Sequence, residues 1–164
     1  MRYDLNFNEA GLLNVNPPVK HIILKELHEY FVLRFPESKT RAELYDNFLR
    51  YVMCLNTFVK VHGILINGSF VTDKLDPNDI DFSPVIDGLN YEAIHKDHRK
   101  TVEILIDHNN ILVRTLRCHP YKTIFFYPEG HKNWNRTQEE KSKALKFWCN
   151  PGSKHEKGIL MLKF

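Results

Sequence analysis

The stretch GILINGS, residues 63–69, is followed by nine residues and then by Asp79-Ile80-Asp81-Phe82. It constrains the fold of this chain more than any other feature. GILIN is short, apolar and followed by Gly68, which reads as a buried strand. Residues 79–82 alternate acidic and apolar side chains. A strand here turns Asp79 and Asp81 to one face and Ile80 and Phe82 to the other. Carboxylates at i and i+2 then stand roughly 7 Å apart along the chain. Like charges that close repel and raise one pKa unless a cation neutralises them. Their oxygens suit Mg²⁺, which prefers hard ligands and keeps waters or substrate phosphates in its remaining positions. Gly68 lets backbone pass close to a ligand, and the Ser69 hydroxyl with nearby N–H groups can hold phosphate oxygens.

The flanking sequence predicts alternating helices and strands, hence an α/β class with a small mixed sheet flanked by helices. Ile23, Leu24, Leu27, Tyr30 and Phe31 recur at helical spacing between Lys20 and Arg34, and Pro36 stops that helix. Leu44, Phe48, Val52, Leu55 and Val59 form the stripe of a second helix, with Thr40 as its N-cap. YEAIHKDHRKTVEILIDHNN is expected to be helical at least in its second half. KTIFFYP is a strand by its aromatic and β-branched content. WNRTQEEKSKALKFWCN is a helix closed by Asn150-Pro151-Gly152, and GILMLKF is a short strand or an extended tail. One domain over residues 1–164 is expected, with an extended N-terminal segment (1–19) and a C-terminal extended tail (150–164).

With 164 residues, net charge +3 and 26% charged residues, the chain reads as an ordinary globular protein. That charge is too mild to indicate a nucleic-acid binder, though it suits a protein that meets phosphates. Three cysteines without a CxxC pair argue against a disulfide framework and point to the cytoplasm. The start, MRYDLNFNEAGLL, lacks a basic region followed by an apolar run, so no signal peptide is expected. No stretch approaches the roughly 18 apolar residues of a membrane span.

The order of apolar strand, Gly-Ser, nine residues and Asp-Ile-Asp resembles the signature of the nucleotidyltransferase superfamily. The segments FNEAGLL, NGSFVTDKLDPNDID, FFYP and KGILMLKF are also similar to short, stand-alone nucleotidyltransferase-like proteins. The resemblance covers most of the chain, and only its central motif is specific. It implies a minimal nucleotidyltransferase fold in which Gly68 and Ser69 bind a nucleoside triphosphate such as ATP. Asp79 and Asp81 would be the catalytic and Mg²⁺-holding residues. The implied reaction transfers a nucleoside monophosphate to an acceptor hydroxyl and releases pyrophosphate. Small members of the superfamily often act as antitoxins or defence components, which implies a protein partner (a toxin or effector) or an RNA as acceptor. Catalysing members usually carry a third acid on the next strand. The expected position in YKTIFFYP holds Thr123. The resemblance is therefore compatible with a transferase of incomplete acidic triad. The alternative is a binding module that keeps the fold, lacks the chemistry, and neutralises or senses a partner by contact.

Other readings compete with these. DPNDID has the composition of a surface turn, but Asp81 between Ile80 and Phe82 would be a costly unpartnered charge within a strand. A nuclease would need a Glu-x-Lys on the next strand, which is absent. His95, His98, Cys118 and His119 do not have the spacing of a zinc finger and read as surface or capping residues. Trp134 and Trp148 read as packing rather than base-stacking residues. Lys141, Lys143, Lys146, Lys154 and Lys157 read as solvated, since Glu139, Glu140 and Glu156 interrupt them.

Overall fold

A computed structural model describes residues 5–14, 18–149 and 156–164. Pro17, Lys154 and the expected helix stop at 150–152 lie outside these ranges. The chain is a mixed α/β structure built on one six-stranded sheet. Its strands are β1 (Val19–Ile22), β2 (Val61–Asn67), β3 (Ile80–Asp87), β4 (Cys118–Pro120), β5 (Ile124–Phe126) and β6 (Ile159–Leu162). Spatial order is β1-β6-β2-β3-β4, and β5 also pairs with β3. The helices are α1 (Leu24–His28), α2 (Arg41–Phe58), α3 (Gly88–Ala93), α4 (Lys96–Leu105), α5 (Ile111–Thr115) and α6 (Trp134–Cys149). Among the described residues, no helix is long and apolar enough to cross a membrane.

Strand alternation sends apolar side chains to both faces of the sheet. On one face Ile64, Ile66, Ile80, Phe82, Leu160 and Leu162 meet the expected stripe of α2, and all five stripe residues are buried. Phe82 packs edge-on against Phe48 and Tyr51, with ring centroids 5.3 and 4.9 Å away. On the other face Leu65, Val85, Ile124 and Ile159 pack against Ala144 and Trp148 of α6. Asp81 is carried by this second side of β3, and Asp79 immediately precedes the strand.

The structure corrects the sequence reading at several elements. The first helix does not begin at Lys20, because Val19–Ile22 form β1, paired in parallel with β6 from Val19↔Ile159 to Ile22↔Leu162. Ile23 precedes α1 and is exposed rather than part of a buried stripe. Residues Glu29–Leu33 continue as a π-helical turn. Of the two expectations for GILMLKF, a short strand or an extended tail, the strand is the one that forms, as β6 inside the sheet between β1 and β2. Thr40 does occupy the N-cap position of α2, but its hydroxyl donates to the Pro77 carbonyl. The Ser38 hydroxyl accepts the Arg41 N–H instead. Besides β1, the sequence reading does not anticipate α5 and β4, and β4 lies beside β3 next to Asp81.

Candidate active site

The site begins where β2 ends. β2 and β3 are antiparallel with Asn67 opposite Asp81. The buried Asn67 side chain fixes the turn, accepting the Gly68 N–H at 2.6 Å and donating to the Trp148 carbonyl at 3.3 Å. Gly68 has φ +75°, a region that side chains rarely tolerate, and its missing side chain makes room for Asp81. Ser69 opens a single 3₁₀ turn, Ser69–Val71, whose end is tied by the Thr72 hydroxyl donating to the Ser69 carbonyl.

The nine residues between Ser69 and Asp79 are held by α2 and the segment before it. Arg41 is fully buried, and its guanidinium donates to the carbonyls of Leu75, Phe31, Phe70, Thr72 and Lys74. Burial pulls its pKa down to about 10, an effect opposed by Asp76 and Asp73, so it stays charged at neutral pH. Asp76 accepts from the Lys39 N–H and the Ser38 hydroxyl, and these bonds lower its pKa. Arg117 donates to the carbonyls of Asn78 and Pro77, just before Asp79. A loop whose carbonyls are so fully engaged presents its two ends, Ser69 and Asp79, in one arrangement.

Asp79 and Asp81 converge on His119, which stands opposite Asp81 on the parallel neighbour β4. The Nδ1 of His119 lies 3.3 Å from Oδ2 of Asp79 and 3.5 Å from Oδ1 of Asp81. All three side chains are 21–31% exposed, neither sealed in nor free in solvent. Burial and then the neighbouring Asp79 push the Asp81 pKa up, against the pull of His119 and Lys157. Lys157, half-buried just ahead of β6, has its own pKa lowered by burial, while Asp81 opposes that shift. The family of unknown function DUF6932 matches residues 5–163. This chain belongs to that family. No curated protein and no solved structure matches it.

The DUF6932 chain thus brings together Gly68, Asp79 and Asp81, and Ser69 follows Gly68 directly. It does not bring Thr123 to them. β5 pairs with β3 from Val85↔Ile124 onward, so Thr123 lies further along β3 than Asp81. His119 takes the position beside the aspartates that was assigned to Thr123. A zinc set of His95, His98, Cys118 and His119 does not assemble. Cys118 is fully buried on the opposite face of β4, His95 pairs with Asp97, and His98 packs on Phe58.

His119, Arg114, Tyr121 and Lys157 were missed. A three-residue strand ending in proline is too short to show alternation, so nothing in Arg117-Cys118-His119-Pro120 marked His119 as facing the aspartates. In sequence Lys157 reads with the solvated lysines of α6, although it belongs to the approach to β6. Beside the cluster, His108, Asn109, Arg114, His119 and Tyr121 line a cavity of about 190 Å³. Burial and the two aspartates push the Tyr121 pKa up, while Arg114 opposes them. The donor atoms of Asp79, Asp81 and His119 lie within 4.8 Å of one another. Two carboxylates fit the oxygen preference of Mg²⁺, and the imidazole also admits Mn²⁺ or Zn²⁺.

Proposed function

We propose that this protein binds a nucleoside triphosphate with a divalent cation and transfers the nucleoside monophosphate to a hydroxyl of a protein or RNA acceptor. The observation that carries this reading is the convergence of Asp79, Asp81 and His119 next to the Gly68 turn. Asp79 and Asp81 would hold the cation. When bound, the cation supplies Lewis-acid polarisation of the phosphate and offsets its charge. The Ser69 hydroxyl and the backbone after Gly68 orient the phosphates, and Lys157 and Arg114 add positive charge on either side. Tyr121 and His108, with ring centroids 4.9 Å apart, offer an aromatic surface for a base.

His119 takes the role that a third carboxylate would fill. The aspartates hold its Nδ1, which leaves Nε2 as the atom that accepts the acceptor's proton. The acceptor oxygen then bonds to the α-phosphorus, the bond to the bridging oxygen breaks, and pyrophosphate leaves. An acceptor that is a toxin or effector protein would give the chain an antitoxin or defence role.

A second reading is favoured by the lack of any carboxylate on β4 or β5. Under it the chain keeps the site for binding and acts on its partner by contact, without transfer. Incubation with each α-phosphate-labelled triphosphate and Mg²⁺ or Mn²⁺, alone and in lysate, separates the two. Label on the protein, a lysate protein or RNA supports transfer. A thermal shift without label supports the binding module. If no triphosphate moves the melting curve, both readings fall.

A further inference from the structure

On the same sheet face as Asp81, further along β3, a second cavity of about 540 Å³ lies between the sheet and α6. Its walls are apolar, with Leu65, Val85, Ile124, Phe126, Leu145 and Met161 among them. It is separated from the Asp79–Asp81–His119 cluster by Trp148, whose indole N–H donates to the Ser83 hydroxyl at 2.8 Å. Ser83 in turn donates to the Tyr121 carbonyl, which closes the partition. The volume is typical of a small-molecule site.

The charged and titratable groups around this cavity are all basic: His21 from β1, Lys141 from α6 and Lys163 after β6. None of the three makes an ion pair among the described residues. All three line the same cavity. The His21 pKa is lowered first by burial and then by the charges of Lys163 and Lys141. Lys141 and Lys163 thus stand as two cations at an apolar chamber whose lining holds no acid, and His21, neutral at neutral pH, adds a ring N–H, an arrangement that an anion at the mouth would complete. A shallower groove of about 410 Å³ shares Val19, Gln138, Lys141 and Leu145 with the cavity and continues along α6 to Lys146. The combined space is elongated, apolar within and positive at its rim.

We propose that this cavity binds a medium-chain aliphatic carboxylate, with its tail between Leu65, Val85 and Leu145 and its carboxylate among His21, Lys141 and Lys163. Such a ligand fills the apolar volume and supplies the missing counter-charge. The site is independent of the proposed transfer site, and ligand bound here would press on the helix whose last turn carries Trp148.

The test uses the full chain and the fluorescent anion 8-anilinonaphthalene-1-sulfonate as probe. Saturable fluorescence should be displaced by dodecanoate and not by dodecanol at equal concentration. Lys141→Glu with Lys163→Glu, both exposed positions, should weaken dodecanoate binding by about tenfold or more. Val85→Trp should block it by filling the chamber, and Gln138→Trp at the rim serves if that variant fails to fold. Asp79→Asn with Asp81→Asn should bind dodecanoate normally, so a failed transfer assay leaves this proposal standing. Equal displacement by dodecanol, or unchanged affinity in the lysine variant, would overturn it. Displacement by ATP with Mg²⁺ would also do so, by making the cavity part of the nucleotide site.

Discussion

A side chain on residue 68 would collide with Asp81: a Cβ built on Gly68 lies 2.1 Å from Oδ2 of that aspartate. The glycine and the second acid of the motif are thus one structural unit, 13 residues apart in sequence and in contact across β2 and β3. Gly68→Ala meets both this clash and the strain of φ +75°. It should cost about 1–3 kcal/mol of stability, measured by urea unfolding. The carboxylate must also move away from His119, so any triphosphate-dependent thermal shift should shrink. A variant as stable and as responsive as wild type would show that Asp81 repositions freely.

Asp79→Asn with Asp81→Asn should abolish the thermal shift produced by triphosphate and Mg²⁺. For a ligand at about 100 times its dissociation constant that shift corresponds to roughly 2.7 kcal/mol. Without metal the double variant should be no less stable than wild type at neutral pH. Asp81 has its folded pKa raised by burial and by Asp79. The native state therefore holds the proton to higher pH than the unfolded chain does. Its contribution is fully present below the ordinary carboxylate pKa and is lost as pH rises through the raised one. Urea titrations at acidic and neutral pH should show wild type losing this increment and the Asn variant keeping its stability. The opposite trend would mean that His119 and Lys157 dominate the site.

His119 and Thr123 give opposite expectations for transfer. His119→Asn removes the proton acceptor and should reduce any labelled-nucleotide incorporation by about 10²- to 10⁴-fold, with triphosphate affinity little changed. Thr123→Asp should produce no gain, because Thr123 does not face Asp81. His119→Asp, which restores a third carboxylate on the strand beside Asp81, should retain more activity than His119→Asn. A gain in Thr123→Asp alone would return the third position to β5.

Arg41 should prove indispensable to the loop although it touches no proposed ligand. Arg41→Lys keeps the charge but cannot reach five carbonyls with a single ammonium. Each buried acceptor left unpaired costs about 1–3 kcal/mol, so the loss should be at least about 3 kcal/mol. Limited proteolysis should then cut within residues 70–78 before the sheet unfolds. Resistance equal to that of wild type would mean that Asp76, Thr40 and Arg117 hold the loop without it.

Features that depend on neighbours in the chain are legible from the residues alone. Alternation at Asp79-Ile80-Asp81-Phe82 dictated that both acids share a face, since side chains on a strand point to opposite sides in turn. The heptad-like recurrence from Leu44 to Val59 likewise committed α2 and its buried stripe. Features that depend on pairing between distant segments emerge only once the chain has folded. Val19–Ile22 and Ile159–Leu162 became strands because each completes the other's hydrogen-bond ladder, a partnership that no local periodicity encodes. His119 reached the aspartates through the parallel register of β4 on β3. A shift of one residue would have turned it to the opposite face and presented Cys118 in its place.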